Sequence, residues 1–175
     1  MNAFGDIDWL PPPGTTPDQP LYVIERWFEG IELALARTPA QRIRHCLITA
    51  RERLAEAAAL IAVDNRAAAA LAFDEYRRAL DTAEKALAEA AAARSELALL
   101  LAGAVLEHQY IVATDYLDQP RATRTESLRV RDLAGRFYSR VKALLAPTVA
   151  ASLFFKEEEV RYAWEVAQQA DAQGL

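Results

Sequence analysis

The sequence predicts an all-α protein, an antiparallel bundle of five or six helices preceded by a proline-rich N-terminal leader. Three observations predict it. Apolar residues recur at alternating steps of three and four over long stretches, which is the spacing of helices packed lengthwise. Apolar residues make up 53% of the 175-residue chain, and many are alanine, the best helix former. Glycine is scarce at six residues, and the alternating β-branched runs typical of strands do not occur.

The leader comprises residues 1–19 and differs in composition from the rest. Five of the eight prolines lie within residues 1–20, so an extended or polyproline-like backbone is expected. Three arrangements stay open: Trp9 and Leu10 pack into a groove of the bundle, the leader is a mobile tail, or it tethers the bundle to something upstream. Residues 20–175 are predicted to form a single domain, because their length suits one core.

The first helix is predicted over residues 20–36, with Asp18 as its N-cap. We expect its apolar residues to be core anchors, and a ligand pocket formed by its aromatic residues is the less favoured alternative. The predicted core positions are Ile24, Trp27, Phe28, Ile31 and Leu35. The candidate pocket aromatics are Tyr22, Trp27 and Phe28.

The second helix, residues 38–63, organises the predicted bundle. It opens with a capping box, in which Thr38 and Gln41 satisfy each other's backbone amides. Its apolar seam continues for more than six turns and comprises Ile43, Leu47, Ala50, Leu54, Ala57 and Ile61. The remaining charged residues, including Arg53 and Glu56, are interpreted as a solvated face.

Four further helices follow. The third, over 66–93, begins after Asp64-Asn65, and a turn at 94–96 is favoured over one continuous helix. The fourth, over 95–117, is apolar almost all round and is expected to be the most buried, with Gly103 at a close helix crossing. Predicted bounds of the last two are 123–145 and 147–173.

Charge is distributed unevenly along the chain. The formal net charge is −5, which does not favour nucleic acid as a partner of the whole molecule. Residues 121–142 nevertheless carry seven basic residues against two carboxylates, a local charge of +5. We expect this basic helix to pair with the glutamates at 157–159, and the alternative is a surface for an acidic protein, anionic lipid or nucleic acid. The candidate surface residues are Arg121, Arg124, Arg129, Arg131, Arg136 and Arg140.

The sequence contains no recognisable catalytic or metal-binding motif. A carboxylate di-iron bundle needs two Glu-x-x-His motifs, but Arg42 precedes His45 by three residues and Val105 precedes His108 by three. One cysteine and two histidines make no recognised zinc ligand set. Cys46 is expected to be a small buried hydrophobe. We therefore expect no enzyme activity and no cofactor.

Cellular location is weakly constrained. The single cysteine excludes an internal disulfide, which fits a reducing compartment without excluding an oxidising one. No run of 18 apolar residues is free of charge, so a transmembrane span is not expected. The N-terminus lacks the basic and apolar regions of a signal peptide.

Several short elements occur in a characteristic order within residues 10–117. They are Pro17-Asp18-Gln19-Pro20-Leu21-Tyr22 with Glu25-Arg26, then Leu33-Ala34-Leu35, then Arg53 to Ala57, then Glu75-Tyr76. In this order they resemble a family of bacterial helical domains catalogued as a domain of unknown function. Members are typically predicted to be exported or membrane-anchored, so the resemblance implies an extracytoplasmic location. It supplies no catalytic residues.

The sequence thus favours a non-enzymatic helical module for protein interaction or scaffolding, associated with the cell envelope by resemblance only. A protein partner or self-association is expected, and the alanine-rich third helix is one candidate face for the latter. The first alternative is a regulator that binds nucleic acid or an anionic surface through the basic helix 121–142. The second is a small-molecule sensor with an aromatic pocket.

Overall fold

The computed structural model describes residues 3–4, 10–116, 118–119, 121 and 123–173. The all-α prediction is confirmed, because the described residues form helices and no strand. Six of the seven α-helices there have 14 or more residues, and the seventh is a single turn. The helices are α1 (Tyr22–Leu35), α2 (Pro39–Ala62), α3 (Arg66–Ala88), α4 (Arg94–Asp115), α5 (Arg124–Lys142), α6 (Pro147–Ala150) and α7 (Phe154–Ala172).

The chain divides into two compact units. One is Leu10–Leu97, which contains α1, α2 and α3, and the other combines Met1–Trp9 with Ala98–Leu175. The single-domain organisation predicted for residues 20–175 stays a prediction.

Helix α2 forms the centre of the unit Leu10–Leu97, and its predicted start is confirmed. The Gln41 amide donates to Thr38 Oγ1 at 3.2 Å, and the Thr38 amide donates to Gln41 Oε1 at 3.1 Å. All six seam residues are buried, from Ile43 to Ile61. Helix α3 packs along α2 through its own buried seam: Tyr76, Leu80, Ala83 and Leu87.

The connection between α2 and α3 is three residues long, which makes the two helices antiparallel neighbours. Asp64 adopts a left-handed φ of 55°. The Asn65 amide donates to Leu60 O at 2.9 Å and the Asp64 amide to Ile61 O at 3.0 Å, which together form a Schellman motif. The Asn65 side chain then accepts from the Ala68 amide at 3.3 Å and caps α3, which begins after Asp64-Asn65 as predicted.

Helices α3 and α4 are separate, as favoured from the sequence, but the break lies five residues earlier. Helix α3 ends at Ala88, and a short 3-10 turn, Ala91–Ala93, leads into α4. Ala91 has a φ of 40°, a conformation in which its Cβ crowds the backbone. The chain therefore turns within an alanine run that contains no glycine or proline.

The second unit has a core made by α4, α5 and α7. Buried residues of α4 include Leu101, Val105 and Ile111, and α7 contributes Val160 and Trp164. The Tyr116 and Trp164 rings meet edge to face at 5.6 Å. The expected close helix crossing at Gly103 is wrong, because a Cβ built there meets nothing within 4 Å.

The predicted bounds of the last helices also need correction. Helix α5 ends at Lys142, three residues earlier than expected. The segment predicted as one helix over 147–173 divides into α6, a 3-10 turn at Ala151–Leu153, and α7. Leu153 in that turn is buried, so the turn redirects the chain while keeping an apolar side chain in the core.

Candidate interaction surface

Helix α1 is turned with its polar side toward α2 and α3. None of its 14 residues is buried. Consecutive helical residues are about 100° apart, which places Tyr22, Glu25, Arg26 and Glu29 on one stripe. These four are only partly exposed: Tyr22, Arg26 and Glu29 contact charged residues of α2 and α3, and Glu25 accepts from the Thr15 amide. The start of α1 also differs from prediction, since the N-cap is Leu21, which makes no side-chain cap.

The apolar residues of α1, except the half-buried Leu33, point away from its neighbours in the unit. Trp27 is 64% exposed and Phe28 56%, and their rings meet edge to face at 5.4 Å. The prediction that these residues are core anchors is therefore wrong. The outward face, as we name it, consists of Leu21, Val23, Ile24, Trp27, Phe28, Ile31 and Leu35, all of them exposed.

An ionic layer beneath α1 explains this orientation. Arg53 and Glu56 of α2, interpreted from sequence as solvated, are fully buried at 0% exposure. Arg53 bridges Glu56 on its own helix and Glu29 on α1. A buried charge is costly unless it is paired, and α1 can supply the partner only from its polar side. Turning that side inward necessarily leaves the apolar side outside.

The ionic layer extends toward α3. Arg26 of α1 lies 2.5 Å from Glu75 Oε2, and Glu75 also pairs with Arg78 at 2.5 Å. The Arg53 guanidinium stacks over the Tyr22 ring at 5.4 Å from its centroid. All three helices of this unit are thus joined by charged groups.

Glu56 is the most strongly perturbed carboxyl of this layer. Burial raises the pKa of Glu56 to about 7, and the nearby carboxylates of Glu25 and Glu29 add to this, outweighing Arg53. Its Oε2 atom is buried without a hydrogen-bond partner. The backbone at Gly14 lies over this region, since a Cβ at Gly14 would lie 3.1 Å from Glu25 Oε1 and 3.9 Å from Glu56 Oε1.

A small cleft of about 140 Å³ lies among α1, α2 and α3. Its polar lining includes His45, Cys46, Glu29 and Glu75. Burial raises the pKa of the Cys46 thiol to about 11, so the thiol stays protonated near neutral pH and is a weak nucleophile. His45 Nδ1 is 3.9 Å from Glu32 Oε2, beyond hydrogen-bond distance. The cleft therefore lacks an activated nucleophile.

In the described part of the chain, no three His, Cys, Asp or Glu side chains are grouped so that they could bind a metal ion. His108 is buried at 1% exposure in α4, as expected for a core histidine. Neighbouring Tyr110 stacks on Phe4 with ring centroids 4.7 Å apart.

The six arginines proposed as a surface on α5 and before it have different environments. Arg124 is buried and pairs with Asp171. Arg129 pairs with Glu126 at 2.8 Å, and Arg131 with Asp132 at 3.0 Å. The other three, Arg121, Arg136 and Arg140, are exposed, and the Arg140 guanidinium lies over the Phe137 ring. The positive charge of this helix is thus partly neutralised.

The acidic run at 157–159 makes three different contacts. Glu157 pairs with Lys142 and accepts from the Tyr138 hydroxyl at 2.5 Å, which links α5 and α7. Glu158 pairs with Arg161 at 2.5 Å, and Glu159 accepts from the Ala3 amide at 2.8 Å. An open groove of about 920 Å³ runs beside these residues, lined by both arginines and carboxylates of α5 and α7.

The three candidate pocket aromatics do not come together. Trp27 and Phe28 belong to the outward face, whereas Tyr22 lies on the opposite side of α1, over Arg53. The sequence signal for this orientation is the spacing of Glu25, Glu29 and Arg26, which puts charges on one narrow stripe of a helix whose other side is mostly apolar.

Among the residues that the structure describes, one helix, Ala91–Asp115, is long and apolar enough to cross a membrane by length and composition. More than half of its most apolar window is buried inside the protein, as in the core helix of a globular protein. The expectation that the chain lacks a membrane span stays a prediction.

Comparison with known proteins identified one family. The family model described as "Domain of unknown function (DUF5667)" matches residues 14–114, which include α1, α2, α3 and most of α4. No curated protein and no solved structure matches the chain.

Proposed function

The chain belongs to the DUF5667 family, and we propose that it is a non-enzymatic protein-interaction module whose docking element is α1. The outward face is the observation that carries the proposal. Contiguous exposed apolar patches larger than a few hundred Å² are rare on monomeric proteins and mark interaction sites. This patch holds two aromatic rings, and Ile24, Ile31 and Leu35 flank them at helical spacing.

The way α1 is held supports the same proposal. Its polar stripe is fixed by Arg53 and Glu75, so the helix is formed before any partner arrives. A preorganised helix loses less conformational entropy on binding than a segment that must fold. Amphipathic helices commonly bind by laying an apolar face into an apolar surface of another protein. An envelope-associated setting is part of the proposal and rests on the family resemblance.

The alternatives rank lower for specific reasons. Binding of nucleic acid or an anionic surface by the basic helix would need free positive charge, yet Arg124, Arg129 and Arg131 already pair with carboxylates. An aromatic pocket for a small molecule would need enclosed walls, and Trp27 and Phe28 are open to solvent.

The proposal is tested by the double variant Ile24→Gln/Phe28→Gln. Glutamine is a good helix former, so α1 is expected to persist, and neither residue is buried. The free energy of unfolding, measured by urea denaturation at a protein concentration at which the native chain is monomeric, is expected to change by less than about 1 kcal/mol. Leu71→Gln is the matched control, because Leu71 on α3 is exposed to the same degree as Phe28, at 55%.

Partners are then sought by placing a photoreactive phenylalanine analogue at position 28, with position 71 as control. The crosslinked protein is identified and purified, and another copy of the chain is one outcome. It counts as a partner only if it binds the native protein and binds the double variant at least about tenfold more weakly. A loss of stability of about 3 kcal/mol in the double variant would mean that the face is core, and the proposal would be wrong.

A further inference from the structure

We infer that the occupant of the outward face is a second copy of α1, paired in parallel orientation. The inference rests on the proposed function and names its partner. Five residues of the outward face follow the heptad steps three, four, three and four: Leu21, Ile24, Phe28, Ile31 and Leu35. That is the a and d pattern of two consecutive heptads, by which helices of identical sequence pack on one another.

The exposed area matches what self-association needs. The seven side chains of the outward face present on the order of 800 Å², which is about the area each partner contributes to a stable interface of standard size. A symmetric pair uses the same patch twice, so no further apolar surface is required on the chain.

The position of α1 on its own unit permits such a pair. Tyr22, Arg26 and Glu29 attach the helix to α2 and α3 from the side opposite the seam. Two copies that meet through their seams therefore keep their α2–α3 pairs on the far sides of the interface. The preformed helix also lets two heptads suffice, although isolated coiled coils of this length are marginal.

Charge at the edges of the seam determines the orientation. Glu25 and Glu32 occupy the e positions, and Trp27 and Ala34 occupy the g positions. The Glu25 carboxylate accepts from the Thr15 amide, so Glu32, whose side chain is 70% exposed, carries most of the charge at this edge. In an antiparallel pair e faces e, which brings glutamates together. In a parallel pair e faces g, so each glutamate meets an apolar neighbour and like charges stay apart. The acidic edge also disfavours anionic lipid as the occupant.

The seam residues also indicate how many chains the assembly contains. Leucine at a with isoleucine at d favours assemblies of more than two helices, in which each copy of α1 still packs in parallel on a second copy. Trp27 and Val23 make the apolar face wider than the seam of a two-stranded coiled coil, which also favours an assembly of more than two helices. Self-association through α1 is the inference, and the measured mass gives the number of chains.

Sedimentation equilibrium of the full chain tests the occupant. The native protein is expected to have a mass of two or more chains, and Ile24→Gln/Phe28→Gln is expected to weaken association by about 100-fold. Leu71→Gln is expected to associate as the native protein does. A native protein that stays monomeric at high micromolar concentration, or one whose association survives the double variant, overturns the inference.

Disulfide trapping tests the orientation. Leu35→Cys in a Cys46→Ala background is expected to form an interchain disulfide on mild oxidation, because parallel helices bring identical seam positions together. Val63→Cys, equally exposed but outside α1, is the control and is expected to stay reduced. If Leu35→Cys crosslinks only when mixed with Leu21→Cys, the pair is antiparallel and the parallel inference is wrong.

Two further results separate this inference from the proposed function. If the native chain is monomeric and a purified partner binds through α1, self-association is overturned and the docking function stands. If the monomer instead floats with vesicles of equimolar phosphatidylcholine and phosphatidylglycerol, and the double variant does not, the occupant is lipid and both proposals fail.

Discussion

Replacing Glu56 with glutamine is expected to make the protein more stable at alkaline pH. Glu56 faces Glu25 and Glu29 from α1, Arg53 from its own helix, and the leader backbone at Gly14. Its side chain is fully buried, and Oε2 has no hydrogen-bond partner. Glutamine keeps the shape and an acceptor for Arg53 while removing a charge that burial disfavours.

The size of the effect follows from the raised pKa. The carboxyl has an ordinary pKa of 4.5 in the unfolded chain and a pKa of about 7 in the folded protein. The folded state therefore binds the proton more tightly, and the stabilisation is fully present below pH 4.5 and lost as pH rises through about 7. The interval corresponds to about 3 kcal/mol of unfolding free energy.

Urea denaturation of the native protein and Glu56→Gln between pH 4.5 and 8 measures this difference. The two proteins are expected to have similar free energies of unfolding at pH 4.5. The advantage of the variant is expected to grow with pH and to reach about 3 kcal/mol at pH 8. Subtracting the two profiles removes the other titrating groups, among them Glu52, whose pKa is also raised by burial. A variant less stable than the native protein at pH 8 would show that the Arg53 ion pair outweighs desolvation, and the reasoning would be refuted.

Three further changes test other elements by the same denaturation assay. Arg53→Met is expected to lose about 4 kcal/mol at pH 8, because buried carboxylates lose their counter-charge, whereas Arg161→Met breaks only exposed pairs and is expected to lose less than about 1 kcal/mol. Gly103→Ala is expected to gain about 1 kcal/mol, since the added methyl meets open space in a helix, and a loss would show hidden contacts. Ala91→Gly is expected to gain about 0.5 kcal/mol by relieving its φ of 40°, and a loss of stability there would contradict the strain.

The fold was largely predictable because local signals specify it. The capping box at Thr38, the buried seam of α2 and the Asp64-Asn65 break depend on near neighbours in sequence and on apolar periodicity. The orientation of α1 was not predictable in the same way. Its apolar period is as regular as that of α2, and a period shows that a helix has an apolar side without showing whether that side meets the core.

The surface was missed because it depends on charges distant in sequence. Arg53 and Glu29 are 24 residues apart, and only the packing of α1 on α2 brings them together. With Arg53 and Glu56 buried between the helices, an orientation of α1 that turned its apolar side inward would remove the Glu29 partner of Arg53 and place apolar side chains against a buried ion pair. Long-range charge pairing therefore overrode hydrophobic patterning at this one element.

The ionic layer and the outward face are two consequences of the same rotation of α1. A helix held by apolar contacts would have to give them up to bind a partner, whereas α1 is fixed by Glu29 and Arg26 and keeps its apolar side available. A partner that covers the outward face would also exclude water from the edge of the ionic layer, where Glu29 is still partly exposed. Charge pairs strengthen as water is excluded. Association and attachment of α1 to its unit are thus expected to reinforce each other.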